Sequence, residues 1–192
     1  MNLTELMKTR RTHRKFKQIP VSDDDLSIIL QAQQYASCSR NAQNLRYVAI
    51  RDSSLIASIF PYTHWAALLP EEQGAPTEDE KPTLFLLVLD SVPGKNPRAE
   101  LNAGLAISNM TIAAWELGIG SCILGNFSRA KVKEILNIPD NMALMYLIAF
   151  GYPIDESRIS VTDITCSTDY YLESPNHLVI PKYKINDIVS YR

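Results

Sequence analysis

The densest chemistry in this chain lies near its start. Residues 8–17 read KTRRTHRKFK, in which six of ten are Lys or Arg and none is acidic. The chain as a whole carries a net charge of −2, so this is a strong local concentration of positive charge. Guanidinium groups are planar, permanently charged and able to donate two parallel hydrogen bonds, which suits phosphate. Thr12 sets a hydroxyl donor among the arginines. A terminal phosphomonoester, with nearly two negative charges, matches that donor set. A solvated basic edge following a short helix would show the same composition.

A second polar cluster spans residues 37–44, Ser-Cys-Ser-Arg-Asn-Ala-Gln-Asn. Asn and Gln amides both donate and accept, so they can read the mixed edge of a heterocycle. Ser and Asn are also ordinary turn formers, and a plain helix-to-strand loop has this composition too. Other patterns fail on context. Gly118, Gly120 and Gly125 follow a helix and precede a strand, the reverse of a dinucleotide fingerprint. Asn126 stands where a phosphate-binding loop needs Lys. His13, His64 and His177 are far apart and no two cysteines are close, so zinc spacing is absent. Cys122 falls in a buried strand and reads as inert core. Cys38 is the one cysteine in a polar setting.

These residues need elements to hold them. Residues 4–9 read as a short helix. Ser22 caps a second helix, with three aspartates at its positive end, running to about Ala36. Residues 47–51 form a short strand, and the apolar runs 83–89 and 144–150 form strands buried on both faces. Residues 121–124 form another, and Ser128 caps a helix ending before Pro139. The longest helix spans residues 99–117 and stops at Gly118. It is apolar all round the wheel, which predicts burial between the sheet and a partner subunit. Residues 70–82 form an acidic surface loop, either a mobile lid or a connector. Beyond Pro153 the tail reads as polar and irregular, with one possible strand at 177–180. Trp65 reads as packing more readily than as a stacking platform. The sum is an α+β fold, a central mixed or antiparallel sheet flanked by helices, in one domain over residues 1–192.

Composition narrows the function. The chain has 192 residues, 46% apolar and 21% charged, which is ordinary globular usage. The net charge gives no global field for nucleic acid. No apolar run approaches the roughly 20 residues needed to span a bilayer. Three widely spaced cysteines fit a reducing cytoplasm better than a disulfide framework.

In their order along the chain, these landmarks resemble the FMN-dependent nitroreductase family. The family opens with a helix and an Arg-Arg-Ser-x-Arg-x-Phe stretch, here Arg10-Arg11-Thr12-His13-Arg14-Lys15-Phe16. A Pro-Val, an acidic-capped helix and a Ser/Asn/Gln loop follow. Later come Leu117-Gly118-Ile119-Gly120-Ser121-Cys122 and Gly125, and a strand ending at Gly151-Tyr152-Pro153. The resemblance implies that Arg10, Arg11, Thr12 and Arg14 bind the phosphate side of FMN. It implies that Cys38, Ser39, Asn41 and Gln43 contact the flavin from the other subunit, and that Leu124 and Gly125 set backbone near flavin N5. Arg192, or Lys182 in its place, would close on the phosphate. The implied assembly is an intertwined homodimer with FMN at the interface. NAD(P)H would serve as co-substrate for hydride transfer to nitroaromatics, quinones or related small acceptors, with no catalytic side-chain dyad. A flavin-binding protein of the same fold without reductase turnover is the alternative. The chain departs from the family pattern at Asn44-Leu45, where Pro-Trp is usual, at Ser37, and around Asn102, where an acidic residue is common.

Overall fold

A computed structural model describes residues 2–192. Four strands make the central sheet: β1 (Leu45–Ile50), β2 (Leu84–Asp90), β3 (Gly120–Leu124) and β4 (Ala143–Gly151). Their order is β1-β2-β4-β3 and every pairing is antiparallel. Strand β2 is buried at all seven residues because LFLLVL offers apolar side chains to both faces. Leu84, Leu86 and Val88 pack on one side against Ile29 and the long helix residues Ala103, Ile107, Met110 and Ala114. Phe85, Leu87 and Leu89 pack on the other against Ile56, Ile59 and Val132. The two-residue period of the strand thus sorts alternate side chains into two cores. Each fully buried Leu or Phe contributes about 1.5–3 kcal/mol.

Helices α1 (Leu3–Thr9), α2 (Asp23–Ala32), α3 (Ser53–Ile59), α4 (Glu71–Gly74), α5 (Ala99–Glu116), α6 (Arg129–Ile135) and α7 (Ile185–Ile188) complete the fold. Ser22 caps α2 by accepting from Asp25 N at 3.0 Å. Ser128 stands at the N-cap of α6 but its side chain caps nothing. Helix α3 was not expected; Asp52 caps it by accepting from Ser54 N and Leu55 N. Helix α5 ends at Leu117–Gly118, where Gly118 takes a positive φ of 76°. The all-round burial expected of α5 does not hold within one chain: Leu101 is 50% exposed and Leu105 36% exposed.

The tail also differs from expectation. It forms a second sheet of β5 (Glu156–Thr162), β6 (Tyr171–Ser174) and β7 (His177–Tyr183), with order β5-β7-β6. Residues 70–82 hold local structure. They contain α4 and a 3₁₀ turn at Glu78–Glu80 with a capping box between Thr77 and Glu80. Glu80 accepts a backbone bond from Phe16 and pairs with Lys15. No described helix is long and apolar enough to cross a membrane.

The basic stretch runs along the edge of the central sheet. Thr12 bridges Ser121 of β3 in parallel, and His13 N donates to Ser121 O at 2.9 Å. Phe16 bridges Pro153, and Lys17 N donates to Tyr152 O at 2.8 Å. This close approach needs glycine in the sheet. A Cβ on Gly120 would lie 2.9 Å from His13 Cβ, and one on Gly151 would lie 3.0 Å from Phe16 Cβ.

Candidate active site

The structure sorts the cations of the basic stretch. Lys8 pairs with Glu5 and Lys15 with Glu80. Arg11 is buried and donates to the carbonyls of Met7 and Lys8, capping the carboxyl end of α1. Its guanidinium is spent on the helix rather than offered to a ligand. Arg10 is half-buried, its backbone N–H donates to Leu6 O at 2.9 Å, and its guanidinium makes no hydrogen bond or ion pair among the described residues. It lines a cavity of about 300 Å³ with Gly104, Ile107, Ser108, Thr111, Ile123 and Tyr146. Burial holds the Arg10 pKa below its ordinary value. Burial and the charge of Arg10 do the same to Arg11. A desolvated cation with no counter-charge is stabilised by an incoming anion.

Arg14 is fixed by its backbone, which donates to Asp155 Oδ2 at 3.0 Å. Its guanidinium lies over the Tyr170 ring, 4.9 Å from the centroid, and its Nε is buried without a hydrogen-bond partner. His13 beside it is buried, stacks on Trp115 at 5.0 Å and shares its Nδ1 with Asp155. Asp155 therefore holds two consecutive residues of the stretch. Sequence reasoning missed Asp155 and Tyr170, since nothing local marks a partner some 140 residues away.

The outer edge of β3 is open next to these arginines. Thr12 covers it at Ser121 and Thr63 bridges Phe127 further on. Between those bridges no described strand pairs with the outer edge of β3. Leu124 is buried, whereas Gly125 is exposed and nothing would touch a Cβ there within 4 Å. Ile123 lines the Arg10 cavity, whereas Thr12, Leu124 and Gly125 do not. Arg10 has the chemistry to hold an anionic group such as a flavin phosphate, whereas Arg14 lines a separate small pocket with Lys15 and Asp155.

The 37–44 loop is elsewhere. Cys38 and Gln43 line a small pocket with Asn102 and Ala106, and Ser39 lines a separate cavity with Arg40. Asn41 and Gln43 are exposed, with Gln43 Nε2 donating to Asn41 Oδ1 at 2.6 Å. None of these residues lines the Arg10 cavity. Arg192 and Lys182 are exposed, and neither bonds to the basic stretch. Cys122 is buried, and burial pushes its thiol up to about 11, as an inert core residue requires. Trp65 packs against the core beside Phe60 and donates to Thr63 Oγ1 at 2.8 Å. No described group of acidic, His and Cys side chains could hold a metal ion.

Residues 7–152 match the sequence model of the Nitroreductase family. The chain belongs to the nitroreductase family. An NADPH-dependent oxidoreductase of Staphylococcus epidermidis is 30% identical over 175 residues, covering 80% of this chain and 66% of its own. An Archaeoglobus fulgidus protein with the provisional name NADH dehydrogenase/NAD(P)H nitroreductase is 28% identical, covering 83% of this chain and 90% of its own. Among solved structures, a nitroreductase family protein of Clostridium novyi superposes with a TM-score of 0.68 at 20% identity, covering 80% of this chain and 87% of that one. An FMN-dependent nitroreductase of Clostridium difficile gives 0.65 at 20% identity, covering 81% and 90%. The matched family span ends at Tyr152, so the β5-β7-β6 sheet of this chain lies beyond it.

Proposed function

We propose that this oxidoreductase of the nitroreductase family is a single-domain, FMN-dependent NAD(P)H oxidoreductase. Its acceptors are nitroaromatics, quinones or related small molecules. The reading is carried by one observation: Arg10 stands desolvated and without an anionic partner, lining a cavity with Ile123 of the edge strand β3. Relatives named as NADPH-dependent and NADPH-flavin oxidoreductases support it.

FMN, when bound, supplies hydride exchange between the nicotinamide and the acceptor. The protein supplies binding and field. Arg10 and the Thr12 hydroxyl hold the phosphate end. Arg14, locked by Asp155 and Tyr170, brings a fixed positive charge toward developing negative charge on the ring. Residues Leu124 and Gly125 offer backbone rather than side chain to the ring, which leaves one face for two substrates in turn.

The active unit is a homodimer. Ile123 is exposed at the Arg10 cavity, Leu101 and Leu105 are exposed on α5, and Leu3 and Met7 are exposed on α1. Such a contiguous apolar face marks an interface. Pairing there lets Ser39, Asn41 and Gln43 of one chain border a flavin held by Arg10 of the other, with Arg192 reaching it the same way.

The test is the purified protein's absorbance. A flavin spectrum with one FMN per chain, bleached by NAD(P)H and restored by an acceptor, is expected. A colourless protein that FMN cannot reconstitute defeats the proposal. A flavin spectrum unmoved by NAD(P)H would mark a flavin-binding protein without turnover.

A further inference from the structure

Strand β4 is irregular where it parts from β3. Its pairing with β2 runs from Val88 opposite Tyr146 to Leu89 opposite Leu144, which leaves Met145 as an extra residue. Its pairing with β3 stops at Leu124 opposite Leu147, just before Gly125 and Tyr146. A bulge of this kind bends the strand and leaves backbone groups without ladder partners.

One side chain takes up those groups. Arg129 donates from Nε to Leu144 O at 3.1 Å, and from Nη2 to Met145 O at 2.9 Å and to Gly125 O at 3.1 Å. Its guanidinium lies over the buried Phe127 ring, 4.7 Å from the centroid. It makes no ion pair among the described residues. A planar fork with fixed donor directions suits carbonyls on two strands at once, whereas an ammonium is a point charge. By local rules the residue is misplaced. Arg129 opens α6, whose first turn holds no acidic residue, so its charge meets the positive end of the helix dipole. Breaks of this kind concentrate at functional sites.

The clamp adjoins the Arg10 cavity. Ile123 of β3 and Tyr146 of β4 both line that cavity. Gly125 lies two residues from Ile123, and Met145 is next to Tyr146. One guanidinium therefore ties together the two strands that bring sheet side chains to the cavity. Tyr146 is held separately by donating to Glu100 Oε2 at 2.6 Å. That bond is the main cause of a raised Tyr146 pKa, and the nearby Arg129 charge opposes the rise.

We propose that Arg129 is a positioning residue of the reductase site, fixing the Gly125 backbone and, through it, the Ile123 and Tyr146 walls against the bulged β4. Its role in turnover rests on the reductase reading above; the clamp does not. Without the clamp, residues 123–125 shift relative to a bound ring, and a misplacement of about 1 Å costs on the order of 100-fold in rate.

The variants Arg129→Met and Arg129→Lys test this, with Lys131→Met as control for the loss of one cation on α6. Two readouts are needed: hydrogen exchange of the full chain, with and without added FMN, and steady-state kinetics normalised to bound flavin. In Arg129→Met the amides of residues 124–127 are expected to exchange at least about tenfold faster, with those of β2 unchanged. Its kcat per bound flavin is expected to fall about 10–100-fold. Arg129→Lys keeps the charge without the planar fork and should recover only part of either change. Lys131→Met should match the unaltered protein. Unchanged exchange in Arg129→Met overturns the clamp. Faster exchange with an unchanged kcat per bound flavin overturns the positioning role. Full recovery in Arg129→Lys overturns the guanidinium geometry, since charge alone would then suffice. Faster local exchange in a chain that takes up no flavin would keep the clamp, remove its role in turnover and sink the reductase reading.

Discussion

Asn102 Nδ2 donates a 2.9 Å hydrogen bond to Asn44 Oδ1, and Asn44 Nδ2 donates another of 2.9 Å to Asp90 Oδ1. All three residues are almost wholly buried, at 2%, 2% and 4% exposure. Asn44 and Asn102, which lie where the sequence reading finds departures from the pattern it resembles, are bonded to each other. Asn102 Oδ1 also accepts from Ser39 N at 2.8 Å, which ties the 37–44 loop to α5. The loop thus gains from amides the rigidity that Pro-Trp would otherwise give it.

Removing the hub should therefore be costly. Asn44→Leu leaves the Asp90 carboxylate buried with the Val92 N–H as its remaining partner. A loss of about 2–4 kcal/mol is expected, read as a lower midpoint in urea unfolding. A loss under about 0.5 kcal/mol would show that the network is not holding the carboxylate.

In the proposed site the arginines of the basic stretch take the ligand, and the stretch needs glycine to fit against the sheet. Arg10→Ala with Arg14→Ala should release the flavin, checked by absorbance after gel filtration. Retention of one FMN per chain would remove the phosphate assignment.

Gly120→Ala or Gly151→Ala forces a Cβ against His13 or Phe16 at 2.9–3.0 Å. Each should cost about 1–3 kcal/mol in thermal or urea unfolding and weaken FMN binding, because the displaced strand carries Thr12 and Arg14.

In the proposed dimer the exposed face of α5 is the interface. Leu105→Lys places a charge where the proposed interface is apolar. Sedimentation velocity should show a shift from dimer to monomer at micromolar concentration, with loss of bound flavin in step. A dimer that persists with full flavin content would put the interface elsewhere.

Two buried groups predict alkaline behaviour. Burial, with a smaller contribution from Cys38, raises the Tyr47 phenol to about 12, and burial raises the Cys122 thiol to about 11. In both, the folded state holds its proton to higher pH than the unfolded state. Their contribution to stability is present below the unfolded value and is lost as pH rises through about 10–12 for Tyr47. Tyr47→Phe should flatten that decline in unfolding experiments. The Tyr47 hydroxyl is buried without a partner, so the substitution should leave stability at neutral pH unchanged or raised. At pH 8, a thiol reagent should label Cys38 and Cys166 in the native protein and Cys122 only on unfolding.

What the sequence reveals here follows the reach of each signal. Strands β2 and β4, helices α2 and α5, and the Gly118 stop are written in local periodicity and caps. So is the six-cation stretch. The sorting of those cations is not, because Glu80, Asp155 and Tyr170 come from distant segments. The small tail sheet escaped for a similar reason: β5 alternates weakly, and its pairing with β7 is parallel and across a long loop. Helix α3 carries a readable signal in Asp52-Ser53-Ser54 before Leu55, Ile56 and Ile59. The capping box of Thr77 and Glu80 is equally readable, and it marks order inside the acidic loop.

The partners of the basic stretch also set a schedule. His13 meets Asp155 across 142 residues of sequence. At about 5–20 residues per second of synthesis, Arg10 to Phe16 leave the ribosome roughly 7–30 s before their anchor is made. During that interval the stretch has no sheet edge to lie on and no Asp155 to hold Arg14. If the stretch holds flavin as proposed, loading follows completion of most of the chain, and a nascent chain stalled before β4 should show no affinity for flavin.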